Sequence, residues 1–154
     1  MLALDRNFVY AFFGLSQSKL WTGAIEEVIP LIERAIRLSP RDPALWVWDY
    51  QIGLVHLLQS RTADAIPWLE KARNQFPAHS IIRSTLAAAY ALTGEIRRGA
   101  AERAEARRLS ADDRFSSLAR LRALGYYGAA VPKMQALINA TYFGGLRKAG
   151  MPEE

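Results

Sequence analysis

The sequence predicts an all-α fold built as a stack of helix pairs, and three observations predict it. Apolar residues recur at helical spacing, as in Ala65, Leu69 and Ala72. A phrase also repeats: EVIPLIERAIRLSP at 27–40 returns as DAIPWLEKARNQFP at 64–77, which sets Pro30 and Pro67, Ala35 and Ala72, and Pro40 and Pro77 each 37 residues apart. A third copy follows 34 residues on, carrying Ala72 to Ala106 and Ser60 to Gly94. Each copy is split by a breaker, at Thr22-Gly23, Gln59-Ser60 and Thr93-Gly94. Such a period signals a helical solenoid, because one helix pair cannot bury its apolar face and a stack of pairs can.

Taken in order, residues 1–7 (with LALDRN at 2–7) read as the remnant of a preceding unit's second helix, which makes the chain the C-terminal part of something longer or a shortened protein. Three units then span about 9–42, 46–79 and 80–111, with a three-residue insertion after Pro40. A second helix starting near Asp64 places Pro67 in its first turn, where a missing N–H costs little. Pro77 is the matching stop. In the tail, residues 112–150, Asp112 or Asp113 caps a helix that runs to Leu124 and stops at Gly125. Pro132 opens a further helix with Met134, Leu137, Ile138, Thr141, Tyr142 and Leu146 on one face, closed by Gly150 and Pro152. That helix is amphipathic and needs a surface to lie against.

Composition narrows the function. A chain of 154 residues with 51% apolar content is long enough to bury roughly 70% of its unfolded surface. Without cysteine it has no thiolate metal site, thiol chemistry or disulfide. No apolar run approaches a membrane span. FVYAFFGL at 8–15 follows Asp5 and precedes no small-residue cleavage site, so it does not read as a signal peptide, and the expected location is cytoplasmic. The net charge of +5 concentrates between Glu95 and Arg122, where eight arginines meet five acids. A solvated helix face is the common meaning of such a strip and a phosphate-binding surface the rarer one.

The register resembles the tetratricopeptide repeat family, whose unit is two antiparallel helices. The family's small helix-contact positions hold Ser16, Val28 and Ala35, then Gly53, Ala65 and Ala72, then Ala87, Gly99 and Ala106. Eight of these nine are small. Departures occur at Lys19 and His56, where the family usually has Tyr, at Asp49 and Arg83, where a large apolar side chain is usual, and at Arg103 and Ala111 in a degenerate third unit. The resemblance implies a right-handed superhelix of antiparallel pairs with C-terminal capping helices. The phrases ERAIRLSPRDPALWVWDYQIGLVHLL and YFGGLRKAGMPEE are also similar to the C-terminal repeat segment of bacterial class III adenylate/guanylate cyclase-like signalling proteins. That likeness implies an attached regulatory module and carries over no catalytic residue.

Motifs for chemistry are sparse. GxxxxGK[ST], GxGxxG and HExxH are absent. His56 and His79 lie in separate helical segments, and His56 reads as a hydrogen-bonded histidine between packed helices and not as a metal ligand. Ser16-Gln17-Ser18-Lys19 fits S-x-x-K, yet the accompanying elements of that enzyme family are missing and Ser16 has a packing position. Asn139-Ala140-Thr141 is a glycosylation sequon without a secretory signal. Trp21, Trp46, Trp48 and Trp68 are interleaved with aliphatic residues, which favours packing over base stacking. No enzyme activity, metal or cofactor is expected.

In the resembled family, partners lie along the concave face formed by the first helix of each unit. Here that face maps to Tyr10, Phe13, Gln17 and Leu20, to Val47, Tyr50, Leu54 and Leu57, and to Ile81, Ser84, Ala88 and Ala91. It lacks the Lys and Asn that clamp a terminal carboxylate in chaperone-binding members. Three occupants fit an apolar groove: the chain's own 132–149 helix, a second copy of the chain, or a helix or peptide of a partner protein. The expected function is a non-catalytic scaffold for protein–protein contact or self-association. The alternative is nucleic-acid binding through the Arg97–Arg122 strip, with no membrane partner in either case.

Overall fold

A computed structural model describes residues 2–124 and 131–154, and for residues 2–7 the backbone alone. The described residues form helices and turns without strands. α1 (Leu2–Thr22) runs unbroken through residues 2–7, so the helix end expected there does not occur. The reason is local: no Gly or Pro interrupts the chain between Leu2 and Phe13. A 3₁₀ turn at Ile25–Glu27 leads into α2 (Val28–Leu38). The extra residues after Pro40 make a turn in which Asp42 accepts from the Ala44 amide and the Ser39 hydroxyl, and α3 (Leu45–Leu58) follows. Then come α4 (Thr62–Gln75), α5 (Ser80–Leu92) and α6 (Ile96–Leu109).

The three breakers adopt one turn. Gly23, Ser60 and Gly94 have φ of 89°, 60° and 89°. In each, the next residue's amide reaches back to the carbonyl five residues earlier: Ala24 to Lys19, Arg61 to His56, Glu95 to Tyr90. This left-handed cap satisfies orphan carbonyls at the end of each first helix. The chain reverses there, and cross-helix contacts take the antiparallel order. Asp49 meets Lys71 and Gln75, Gly53 meets Leu69, Arg83 meets Glu102, and Gly99 meets Ala87 and Ala91. All nine predicted contact positions, from Ser16 to Ala106, are buried. At Gly53 an added Cβ would come within 2.7 Å of the Leu69 side chain, and at Gly99 within 2.9 Å of the Ala87 carbonyl. Glycine therefore sets how closely these pairs approach.

Pro67 needs a correction. α4 starts at Thr62, two residues before the expected start, so Pro67 sits inside the helix and not in its first turn. Its missing N–H leaves the Ala63 carbonyl without the usual i−4 donor, and both residues are exposed, so water can supply the partner. Pro30 does sit in the first turn of α2, because the preceding turn is 3₁₀ and the α-helix begins only at Val28.

The odd residues at the apolar positions are paired. Asp49, fully buried, accepts from Lys71 Nζ at 3.0 Å and Gln75 Nε2 at 2.6 Å, which ties α3 to α4. Arg83 donates to Glu102 at 2.9 Å, and Arg73 of the preceding pair donates to the other oxygen of Glu102 at 2.5 Å. A second inter-pair tie joins Tyr90, Glu70 and Arg98, with the Tyr90 hydroxyl bonded to Glu70 and its pKa pushed up to about 12, first by burial and then by that carboxylate. Buried charges are tolerated when both partners stay hydrogen-bonded.

The tail differs from expectation at its first helix. α7 (Leu118–Ala123) is capped by Ser117, whose hydroxyl accepts from the Arg120 amide. Asp112 instead folds onto Arg114, accepting from its amide and its guanidinium, and is not a helix cap. The expected stop, Gly125, lies outside the described residues. The later helix runs as α8 (Pro132–Ile138), a π-helical turn at Asn139–Phe143, and α9 (Gly144–Lys148), ending at Gly150 with φ 89°. The Thr141 hydroxyl bonds back to the Leu137 carbonyl at the π turn. The last residues return over α7, whose Leu118 and Ala119 amides donate to the Pro152 and Glu153 carbonyls.

Ser60 is the one non-glycine residue described with positive φ, at the turn where its two counterparts are glycine. Replacing Ser60→Gly removes a left-handed strain of about 1 kcal/mol. Urea unfolding should show a higher midpoint with an unchanged slope, and a lower midpoint would contradict the shared turn.

Candidate functional site

Residues of α1, α3 and α5 line a common cavity, and the C-terminal helix packs beside it against α5. Tyr142 hydroxyl and Ser84 Oγ are 2.7 Å apart in a buried bond. At Gly145 an added Cβ would fall 2.5 Å from the Ala88 carbonyl and 2.7 Å from its Cα, so α9 and α5 approach backbone to backbone. Arg103 on α6 donates to the Ala149 carbonyl, and Lys133 on α8 reaches the Gly23 carbonyl at the far end of α1. Met134, Ile138, Tyr142 and Leu146 are buried, as their shared face predicts. Thus the chain's own helix occupies the end of the groove that presents Ser84 and Ala88.

The other end is open. A cavity of about 160 Å³ lies between the second half of α1, the first half of α3 and the start of α5. Six of the twelve predicted groove residues line it: Gln17, Leu20, Val47, Tyr50, Leu54 and Ile81. The remaining six lie elsewhere. Ser84 and Ala88 are under the C-terminal helix, while Ala91 and Leu57 are buried in the packing of the pairs. Phe13 is half-buried against the core, and Tyr10 is exposed beyond the cavity.

Four lining residues lie outside the predicted set: Trp21, Trp46, Gln51 and His79. Trp46 packs with Phe76 and His79 in a three-ring cluster, with centroids 4.9 to 5.4 Å apart. Gln51 is the polar centre. Gln17 Nε2 donates to its Oε1 at 2.9 Å, while its Nε2 is buried without a partner and the residue is 1% exposed. Turning both amides over together only exchanges which of the two polar atoms of Gln51 is left over. The legible signal was a polar side chain inside the otherwise apolar helix LWVWDYQIGLVHLL, where Asp49 and Gln51 both stand out. A buried unsatisfied amide costs about 1–3 kcal/mol and is recovered when a ligand offers the complementary group.

Both histidines carry buried Nδ1 atoms without hydrogen-bond partners, which corrects the expectation that His56 is hydrogen-bonded between helices. Burial pushes each ring's pKa down, helped at His56 by nearby Arg61. No cluster of metal-ligating side chains occurs among the described residues. The four tryptophans divide: Trp48 is buried, Trp68 is half-buried with Lys71 over its ring, and Trp21 and Trp46 line the cavity.

The basic strip is largely neutralised. Arg98 pairs with Glu95 and Glu70, Arg108 with Glu105, Arg114 with Asp112, Arg120 with Asp113 and Arg122 with Glu153. Arg103 is spent on the Ala149 carbonyl. Among the described residues only Arg97 and Arg107 of the strip lack such a partner. No helix among them is long and apolar enough to cross a membrane.

The chain matches no protein-family model, and no curated protein matches it.

Two predictions follow from this geometry. Gly145→Val should drive α9 off α5 and lower stability by about 1–3 kcal/mol, the usual cost of overpacking, and the Tyr142 ring signals should lose their buried environment in NMR. Retention of both would place the contact elsewhere. The second concerns pH. Because the folded pKa of His56 and His79 lies below 6.5, the unfolded chain binds more protons as pH falls through that value. Their stabilising contribution is full above pH 6.5 and is lost as pH drops toward the folded values. The double variant His56→Gln/His79→Gln should flatten the stability–pH slope just below 6.5, and an equal slope in both proteins would reject the assignment.

Proposed function

We propose that this chain is a tetratricopeptide-type, non-catalytic scaffold whose open half-groove takes an extended segment of a partner protein. The observation that carries this reading is the cavity itself: apolar and aromatic walls with one buried amide, Gln51, whose Nε2 is unpartnered. Its volume suits a single side chain, since about 150 Å³ holds a benzene-sized group. An apolar side chain would fill the space beside Leu20, Val47 and Ile81, while a main-chain peptide group would meet the Gln51 amide. A peptide offers both C=O and N–H, so it satisfies either orientation of that amide.

Three helix pairs in a 37- and 34-residue register, each closed by the same left-handed turn, support the tetratricopeptide reading. On this reading the pairs wind as a right-handed superhelix and serve as the regulatory module of a larger signalling protein, as the likeness to cyclase-associated repeats suggests. Nucleic-acid binding through Arg97–Arg122 has less support, because six of the eight arginines are engaged within the chain.

Selection from a random peptide library tests the proposal. Binders should share an apolar anchor residue and change the fluorescence of Trp21 and Trp46. Tyr50→Ala or Gln51→Met should weaken them at least tenfold, about 1.4 kcal/mol. Binders indifferent to both substitutions, or none at micromolar affinity, would reject the open groove as the site.

A further inference from the structure

Three side-chain atoms among the described residues are buried without a hydrogen-bond partner: Gln51 Nε2, His56 Nδ1 and His79 Nδ1. Two of them belong to residues that line one cavity, Gln51 and His79. Buried polar groups are nearly always paired, so two orphans in the wall of one small space point to an occupant with polar groups of its own. Two further polar residues of that wall are already bonded within the chain. Gln17 donates to Gln51, and the Tyr50 hydroxyl bonds to Thr85 Oγ1 on α5.

A partner's main-chain peptide group at Gln51 leaves His79 to be met by the anchor side chain. His79 Nδ1 offers a lone pair in one neutral tautomer and an N–H in the other, and a hydroxyl answers either. Burial pushes the ring's pKa down and no charged neighbour contributes to that shift, so the imidazole is predominantly neutral at pH 7.

Shape selects which hydroxyl. The cavity of about 160 Å³ matches the roughly 150 Å³ that holds a benzene-sized group. Serine and threonine are too small to fill it. Trp21, Trp46, Tyr50 and His79 put four rings in the wall, and ring-on-ring contacts add attraction beyond the area they bury. Phenylalanine and leucine fill the space but leave His79 Nδ1 dry and unbonded. Tryptophan is larger than a benzene-sized space and has a donor without an acceptor. Tyrosine supplies both the ring and the hydroxyl.

We propose that the anchor is a tyrosine of the partner segment, its ring in the cavity and its phenol hydroxyl hydrogen-bonded to His79, with the adjoining main chain on Gln51. The assignment rests on the open groove being the peptide site.

p-Cresol and toluene, the side chains of tyrosine and phenylalanine with a methyl in place of the main chain, are the first probes. Toluene is the more hydrophobic and wins in an unselective apolar pocket. In titrations of the full chain followed by NMR of the Trp21 and Trp46 indoles, p-cresol should bind at least fivefold more tightly than toluene. His79→Phe should bring the two within about twofold while circular dichroism is retained, and Gln51→Met should leave their ratio unchanged. Peptides selected from a random library should carry tyrosine at the anchor, and changing that tyrosine to phenylalanine should weaken them at least fivefold against the chain but less than twofold against His79→Phe. Equal affinities for p-cresol and toluene, or selected peptides anchored by leucine or phenylalanine that still need Tyr50 and Gln51, would overturn the tyrosine and leave the groove as a peptide site. p-Cresol binding without tyrosine-anchored peptides would mark a site for a small phenol and overturn the partner. Failure of both probes and of the selection would overturn the anchor and the groove together.

Discussion

Everything in this structure depends on how closely two helices of a pair approach. Gly53 lies against Leu69, and Gly99 lies against the backbone of Ala87 and Ala91, at distances that leave no room for a Cβ. Close approach removes water from the seam and lets the surrounding side chains interdigitate at interior density. The same device recurs once outside the repeats, where Gly145 brings the C-terminal helix onto Ala88. A helix tied to its neighbour this closely has little freedom to slide, so the positions of its outward side chains follow from the seam.

That rigid spacing also makes the buried charges workable. Asp49 occupies a place where an apolar side chain would pack, Glu102 is also buried, and each accepts from two donors held by neighbouring helices. Such networks are weak evidence of net stability, because desolvation offsets much of the attraction. Their geometric consequence is firmer. Glu102 accepts from both Arg83 of its own pair and Arg73 of the pair before, so it fixes the relative setting of two pairs.

The C-terminal helix covers the part of α5 that presents Ser84 and Ala88. Once Tyr142 and Gly145 occupy the surface of α5, the remaining cavity is confined to the first half of α3 and its neighbours in α1 and α5. Six of the twelve groove positions expected from the sequence line this cavity, and Gln51 gives it a polar centre that the expectation did not include. The expected list followed one stripe along each first helix. The actual walls also draw on the preceding turn and on the loop before α5, which brings in Trp46 and His79.

The sequence by itself determined the helix pairs, their register and their seams. These are local matters: apolar spacing, small residues at fixed intervals, and a breaker whose left-handed turn closes each first helix at Gly23, Ser60 and Gly94. It misplaced the start of α4 and the cap of α7, where the deciding interactions are single hydrogen bonds, such as the Ser117 hydroxyl on the Arg120 amide. Only the tertiary structure decided which of the expected positions line the cavity, that Asp49 and Arg83 are satisfied by partners on the adjoining helices, and that Gln51 is buried with its Nε2 unpartnered. Each of those outcomes is set by contacts between residues far apart in the chain, and periodicity within a helix carries no information about which distant surface will meet it.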